Sequence, residues 1–276
     1  MIKDVVVNLS LGAERDAASD YALSLAAAFD AHICGVAFEY EPVIPPTFMG
    51  GIPTDLIDAQ RVENKKIADA AVARFEAAAK RAGVSTEHRT FEGTLMGAAE
   101  SFAGLARRFD ISIVGQSEPD KPSPRDFVIE GALFDSGRPV IVVPYIQRAG
   151  LKLDRVIACW DASRTAARAI ADAMPLLARA KMIDVVTISS KGGKPDELPG
   201  ADISEHLARH GLKIDSKHIV AQNVDVANTI LSYAADCGAD FIVMGGYGHS
   251  RLREFVLGGA TRGILGSMTA PTLMSH

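Results

Sequence analysis

The run MGGYGHSRLREFVLGGATRGIL, residues 244–265, holds the residues best suited to chemistry. Its glycines at 245, 246, 248, 258 and 259 can take positive φ and let a ligand approach the backbone closely. The run follows an apolar segment that reads as a buried strand, and it leads into a helical pattern. A helix N-terminus carries free N–H groups and attracts anions. Here that terminus begins at Gly258 or Gly259, or a turn earlier near Leu252. From residue chemistry alone the run is a phosphate cradle, or a glycine loop that only reverses the chain. A second group bears on it. Asp161, in CWDAS, stands just past another apolar run and beside Trp160. A carboxylate only accepts hydrogen bonds, which suits ribose hydroxyls or an adenine amino group. The same residue could instead cap the helix that starts near Ser163.

Other arrangements carry less. Gly115-Gln-Ser117-Glu-Pro119 is close to a nucleophile elbow, but proline replaces the last glycine and no histidine or acid partner can be assigned. His206 and His210 are four residues apart on a helical pattern, without an intervening glutamate or a third ligand. Gly246-Tyr-Gly248 starts a dinucleotide fingerprint that Arg251 breaks. His249 and Arg251 are either phosphate contacts or part of a polar loop. No P-loop lysine motif occurs.

The elements that position these groups read as short apolar strands alternating with helical patterns. The strands lack polar/apolar alternation, so both faces are expected to be covered in a parallel, doubly wound sheet. Strands are expected near 4–9, 32–37, 86–90, 111–115 and 140–144, and again near 155–159, 182–188, 214–220, 241–245 and 271–275. Helices of the second half are expected near 163–179, 203–211, 225–236 and 252–266, with Pro175 as a kink in the first of them. If each sheet has the order 3-2-1-4-5, its first and fourth strands are neighbours. The connection order reverses between them, and a crevice opens at their carboxyl ends. Asp161 and the glycine run would face each other across it.

The plan occurs twice. DVVVNLSLGAERDAASDYALSLAAAFDAHICGVAF parallels RVIACWDASRTAARAIADAMPLLARAKMIDVVTIS, FDISIVGQS parallels DFIVMGGYG, and RPVIVVP parallels APTLMSH. A repeat of half the chain is a domain duplication, here 1–146 and 152–276 joined near 145–152. Two stretches break the echo. Residues 38–58 form a Pro/Gly-punctuated insertion with Phe48, Met49 and Ile52, either a lid or partner contact or a loop packed on its own domain, and 191–200 read as a surface loop. The 276 residues carry a formal net charge of −5, which argues against a dedicated nucleic-acid or anionic-membrane binder. No apolar run is long enough to cross a membrane, and no signal-peptide core precedes the first charges. Cys34, Cys159 and Cys237 form no Cys-x-x-Cys, which fits a reducing cytoplasm.

Gly245, Gly248 and Gly258 fit a Gly-x2-Gly-x9-Gly spacing. With Asp161, they make the second half resemble a universal stress protein domain over its full length. That family follows the third glycine with Ser or Thr. Here Gly259 stands there, and Thr261 offers a hydroxyl in the first helical turn. The resemblance implies two adenine nucleotide α-hydrolase-like domains in tandem, packed as an intrachain pseudo-dimer and able to form a homodimer. It implies a cytoplasmic, regulatory stress-response protein that binds ATP, ADP or AMP, with or without Mg2+. Trp160 and Asp161 would meet the ribose or base, Ile188 would pack on adenine, and Met244 would lie beside it. Gly245, Gly248, Gly258, Gly259, Ala260 and Thr261 would hold the phosphates. The rival readings are a slow ATP-hydrolysing enzyme, for which no catalytic residue is visible, and a nucleotide-free interaction scaffold. The first half departs from the pattern. Ser10 falls opposite Asp161, Gly115 is kept, Glu118 replaces the second glycine, and Gly131 comes at another spacing. Glu118, Asp120 and Glu130 are expected to repel phosphates unless a cation intervenes, and one nucleotide per chain is expected.

Overall fold

Valine- and isoleucine-rich runs bounded by turn residues form the strands, and the Ala-rich runs between them form the helices. The computed structural model describes residues 1–42, 54–118, 123–190, 200–221, 225–246 and 259–276. The first half runs β1 (Asp4–Asn8), α1 (Ala17–Phe29), β2 (His32–Tyr40), α2 (Thr54–Ala82), β3 (Thr86–Gly93), α3 (Leu95–Ala106), β4 (Ile111–Gly115), α4 (Arg125–Asp135) and β5 (Val140–Val143). The second runs β6 (Arg155–Cys159), α5 (Arg164–Leu177), β7 (Met182–Ser190), α6 (Ala201–Arg209), β8 (Ile214–Ala221), α7 (Val226–Cys237), β9 (Phe241–Gly245), α8 (Gly259–Ser267) and β10 (Thr272–Ser275).

The ten strands make one sheet in the order β3-β2-β1-β4-β5-β10-β9-β6-β7-β8. Each half has the expected 3-2-1-4-5 order. The halves join where the equivalent strands β5 and β10 pair antiparallel, with Leu273 opposite Ile141. All other pairings are parallel. Both joining strands open just after a proline, Pro139 and Pro271. Their carbonyls accept from Ser112 and Ile242, so the missing N–H costs the ladder nothing. Alternate strand residues feed two apolar layers. Val5, Val7, Ala158, Val185 and Val243 pack under α1, α2, α5 and α6. Val6, Ile157, Val186, Ile242 and Met244 pack under α3, α4, α7 and α8. This two-sided burial is why the strands show no alternation in sequence.

The duplication extends to polar detail. Asp110, ahead of β4, accepts from the N–H groups of Lys3 and Asp4, and Asp240, ahead of β9, accepts from those of Asp154 and Arg155. Gly131 and Gly263 are also counterparts, at the same distance before the two prolines. A side chain at Gly131 would strike the Ala99 carbonyl oxygen at 2.9 Å, and one at Gly263 would strike Ala227 Cβ at 2.5 Å. Gly131 is therefore a contact point between α3 and α4, not a displaced phosphate glycine. Two boundaries also move. The insertion expected over 38–58 is narrower, because β2 continues to Tyr40 and α2 starts at Thr54. Phe48, Met49 and Ile52 lie outside the described residues. Helix α6 begins at Ala201, two residues ahead of its expected start, after the N-cap Gly200, whose φ of 88° suits glycine. Pro175 lies in the last turn of α5.

One stability consequence arises in α1. Tyr21 is 1% exposed, and its hydroxyl has no hydrogen-bond partner among the described residues. Burial, with Asp240 adding, holds its phenol well above the ordinary range. A phenol whose pKa is raised by folding supports the fold fully below its unfolded pKa. That support is lost as pH rises past about 10, at up to about 1.4 kcal/mol per pH unit. Denaturant titrations should therefore show level stability from pH 7 to 9 and a fall above 10. Tyr21→Phe should make that fall shallower; an unchanged slope would remove Tyr21 as its source.

Candidate functional site

The β6–β9 ladder ends at the pair Ala158 and Val243, although β6 continues to Cys159 and β9 to Gly245. The two strands separate there because their following helices leave on opposite faces, α5 on one and α8 on the other. The strands thus part at the carboxyl ends of β6 and β9, the place where the strand order puts a crevice.

Asp161 stands exposed at its mouth. The helix cap falls one step later than the capping alternative required. Ser163 is the N-cap of α5, with its hydroxyl accepting from Ala166 N at 3.1 Å. Asp161 uses Oδ1 to accept from Ser163 N at 2.9 Å and makes no second hydrogen bond among the described residues. Between them Ala162 has φ 59°, an uncommon conformation for a residue with a side chain. A tight turn therefore projects the carboxylate outward while leaving Oδ2 available as an acceptor.

Met244 and Ile188 lie on the α7/α8 side of the sheet, with Met244 buried and Ile188 half-buried. Cys159 joins them on that side. Burial and the Asp161 charge push its thiol up to about 12, so it stays protonated and serves as apolar lining. Sequence reasoning passed over Cys159, although its place just before Trp160-Asp161 was the available signal. The Trp160 side chain packs against the α5-side core, while its backbone N–H donates to the Val186 carbonyl at 2.9 Å. The structure thus groups Ile188, Met244, Cys159 and the Asp161 turn, and separates Trp160 from them.

The described glycines of the run have physical reasons other than positive φ, which none of them adopts. A side chain at Gly245 would fall 2.6 Å from Ala166 N and 2.6 Å from Thr165 Oγ1, in the first turn of α5. Gly115 meets α1 at the corresponding place, 3.5 Å from Ala18 Cβ. This glycine is required by a strand end packed on a helix N-terminus. Gly245→Ala should accordingly cost about 1–3 kcal/mol by overpacking, measurable by denaturation without any ligand present. A variant as stable as the parent would return Gly245 to a purely ligand-facing role. Gly259 opens α8 in open space, Ala260 is half-buried, and Thr261 is 3% exposed. Gly248 and Gly258, with His249 and Arg251, lie outside the described residues.

The first half forms the same crevice and fills it from within. Ser10, opposite Asp161 in the repeat, is buried and gives its N–H and hydroxyl to the Asp16 carboxylate at 2.7 and 2.8 Å. Asp16 also caps α1 through Ser19 N, and Arg74 of α2 donates to the carbonyls of Ser10 and Ala13. Over the end of β4, the Arg125 guanidinium lies 3.6 Å from where a Gly115 side chain would begin and donates to Gln116 O at 3.3 Å. A cation of the chain, the Arg125 guanidinium, thus stands over this strand end beside the acidic residues expected to repel phosphates. Glu118 is exposed, Asp120 lies outside the described residues, and Glu130 is a half-buried α4 residue whose carboxyl is raised by burial. Ser117, the elbow-like serine, donates to Asp126 at 2.8 Å and faces no histidine. The exposed rings of His206 and His210 meet edge-on at 4.9 Å, and no group of three metal-ligating side chains occurs among the described residues.

Residues 152–276 match the family model described as the universal stress protein family. The second half is a universal stress protein domain. A universal stress protein from Synechocystis sp. is 27% identical to the chain over 92 residues, which span 33% of this chain and 31% of that relative. Two solved structures extend the likeness to both halves. The universal stress protein from Archaeoglobus fulgidus DSM 4304 superposes with a TM-score of 0.70 over 99% of this chain and 97% of its own, at 17% identity. A candidate universal stress protein from Pseudomonas aeruginosa UCBPP-PA14 gives 0.59 over 99% and 93%, at 16% identity. At these identities the likeness of the first half to universal stress proteins is one of fold. No helix among the described residues is long and apolar enough to cross a membrane.

Proposed function

We propose that this is a tandem universal stress protein whose second domain, 152–276, binds one adenine nucleotide, ATP or ADP, as a regulatory ligand in the cytoplasm. The observation that carries the reading is the opening of the β6–β9 ladder with the outward-turned Asp161 carboxylate at its mouth. Ile188, Met244 and Cys159 supply an apolar side for a purine ring, and Asp161 Oδ2 accepts from a ribose hydroxyl. The N-terminus of α8 at Gly259–Thr261, with Gly248 and Gly258 by their spacing, supplies N–H groups for phosphates. These residues fit a nucleotide; a Mg2+ ion would be held through the phosphates. The first domain, 1–146, contributes no second site, because Asp16, Arg74 and Arg125 already occupy its crevice.

In this reading the nucleotide is a bound regulatory ligand, not a substrate that is turned over. Mass spectrometry of small molecules released from the purified chain tests the reading. An adenine nucleotide in near-equimolar amount supports it. A ligand-free protein that also binds no added ATP, ADP or AMP would overturn it.

A further inference from the structure

The first half meets the second at Gly246, just after β9, and at Leu265 in α8. At Gly246, the N–H donates to Ser275 O at 2.8 Å and the carbonyl accepts from His276 Nδ1 at 3.1 Å. The space a side chain would occupy is taken by Leu133 of α4, whose Cδ2 lies 2.8 Å from the would-be Cβ. The ring of Phe134 meets the His276 ring edge-on at 4.9 Å. At the other end, Gln116 sends Nε2 to the Leu265 carbonyl in α8 at 2.7 Å. Gln116 is 3% exposed, and the rest of it is fully engaged. Its N–H donates to Val143 O at 2.8 Å, its carbonyl accepts from Arg125, and Oε1 accepts from Tyr145 N at 3.4 Å. Leu133 and Leu265 are counterparts in the repeat, as are Gln116 and Gly246. Each half therefore rests its last helix on the residue that follows the fourth strand of the other.

A buried amide with this many partners has one orientation, and α8 is a single rigid helix of 9 residues. Moving its carboxyl end moves its amino end, and a displacement of about 1 Å in a positioning group is enough to change binding severely. We infer that the first half is a clamp that sets α8 against β9, with Gln116 and Leu133 as positioning residues for the phosphate end of the site. The inference rests on the nucleotide reading above. It gives the first half a function despite its filled crevice: it tunes affinity in the second without touching the ligand.

The test uses the full chain with Gln116→Met, which keeps length and loses the donor, and Leu133→Ala, which opens space at Gly246. Hydrogen exchange is measured without ligand, and binding of ATP and of adenosine is measured by calorimetry. Amides of α8 should exchange at least fivefold faster in Gln116→Met, while those of α7 stay as in the parent. ATP should bind roughly three- to tenfold more weakly in both variants, with adenosine unchanged, because only the phosphate end moves. Equal losses for ATP and adenosine, or unaltered α8 exchange, would overturn the clamp. If the parent binds neither compound, the nucleotide reading fails by itself, and the exchange of α8 still decides whether the first half positions that helix.

Discussion

Replacing Arg155 with methionine should lower the stability of the chain by about 3–5 kcal/mol and leave ligand binding as it is. Asp184 of β7 is completely buried on the α7/α8 side of the sheet. Its carboxylate is held by Arg155 through two hydrogen bonds, of 2.8 and 3.2 Å, and by the Tyr233 hydroxyl at 2.9 Å. Asp184 in turn keeps the Arg155 guanidinium firmly protonated and, after burial, raises the Tyr233 phenol. Without Arg155 the carboxylate is left in an apolar layer with a single neutral donor. The cost of an unpaired buried charge far exceeds the worth of the pair. Replacing all three groups by apolar ones, as Arg155→Met/Asp184→Leu/Tyr233→Phe, should recover most of the loss, since buried ion pairs are often no better than packed hydrocarbon. Urea denaturation of the two variants checks both halves of the statement. A loss below about 1 kcal/mol in the single variant would mean that water reaches Asp184 once Arg155 is gone. The cluster sits at the amino ends of β6 and β7, opposite the crevice, which is why binding should not follow stability.

The sheet was legible because its strands are short, apolar on both faces and repeated. The duplicated segments marked two like halves, the order supposed for a doubly wound sheet is the one found in each, and β1, β4, β6 and β9 fall close to where their Val/Ile runs place them. The joining of the halves was less legible. RPVIVVP and APTLMSH each read as a strand, but nothing in either says that β5 pairs antiparallel with β10 to make one continuous sheet. Such pairing is set by backbone hydrogen bonds, which carry no residue signature. Helix α2 extends to 29 residues because its exposed early turns are rich in good helix formers, and no periodic apolar stripe announces them.

In the site, residue type was a better guide than residue role. Asp161 was found from its position after an apolar run, but its turn with Ala162 and Ser163 is a matter of backbone conformation. Gly245 was read as making room for a ligand, and the room it makes is for the first turn of α5. Its presence at Gly115 in the half with a filled crevice was the available hint. Arg125 was missed because a cation at the first position of a helix has no motif; only the fold brings it over Gly115. Gly131, set aside for its spacing, is a glycine of helix packing. Glycines that let helices approach and glycines that admit phosphates look alike in a sequence.

Titration of the chain with ATP or ADP should saturate near one equivalent, with the ligand in the second half. Asp161→Ala should weaken that binding by roughly 1.5–3 kcal/mol, about ten- to hundredfold in Kd, the usual worth of a hydrogen bond to a charged group. Gly258→Val, at the third glycine of the spacing, should remove phosphate-dependent affinity. Asp161 also accepts from Ser163 N, so the Ala variant must first be shown by circular dichroism to retain its fold. The asymmetry between halves has a definite cause. In the first crevice the inward carboxylate of Asp16 is spent on Ser10 and Ser19, and Arg125 covers the strand end. In the second, Asp161 is exposed and only the four residues 160–163 separate the end of β6 from α5. A chain carrying both Asp161→Ala and Gly258→Val should therefore bind no nucleotide at all. Retention of one tight equivalent by that double variant would place the ligand in the first half, and the occlusion by Arg125 would then be the error. Two equivalents in the parent would say that the guanidinium yields to a phosphate, which Arg125→Ala would test by changing the affinity of one equivalent and not the other.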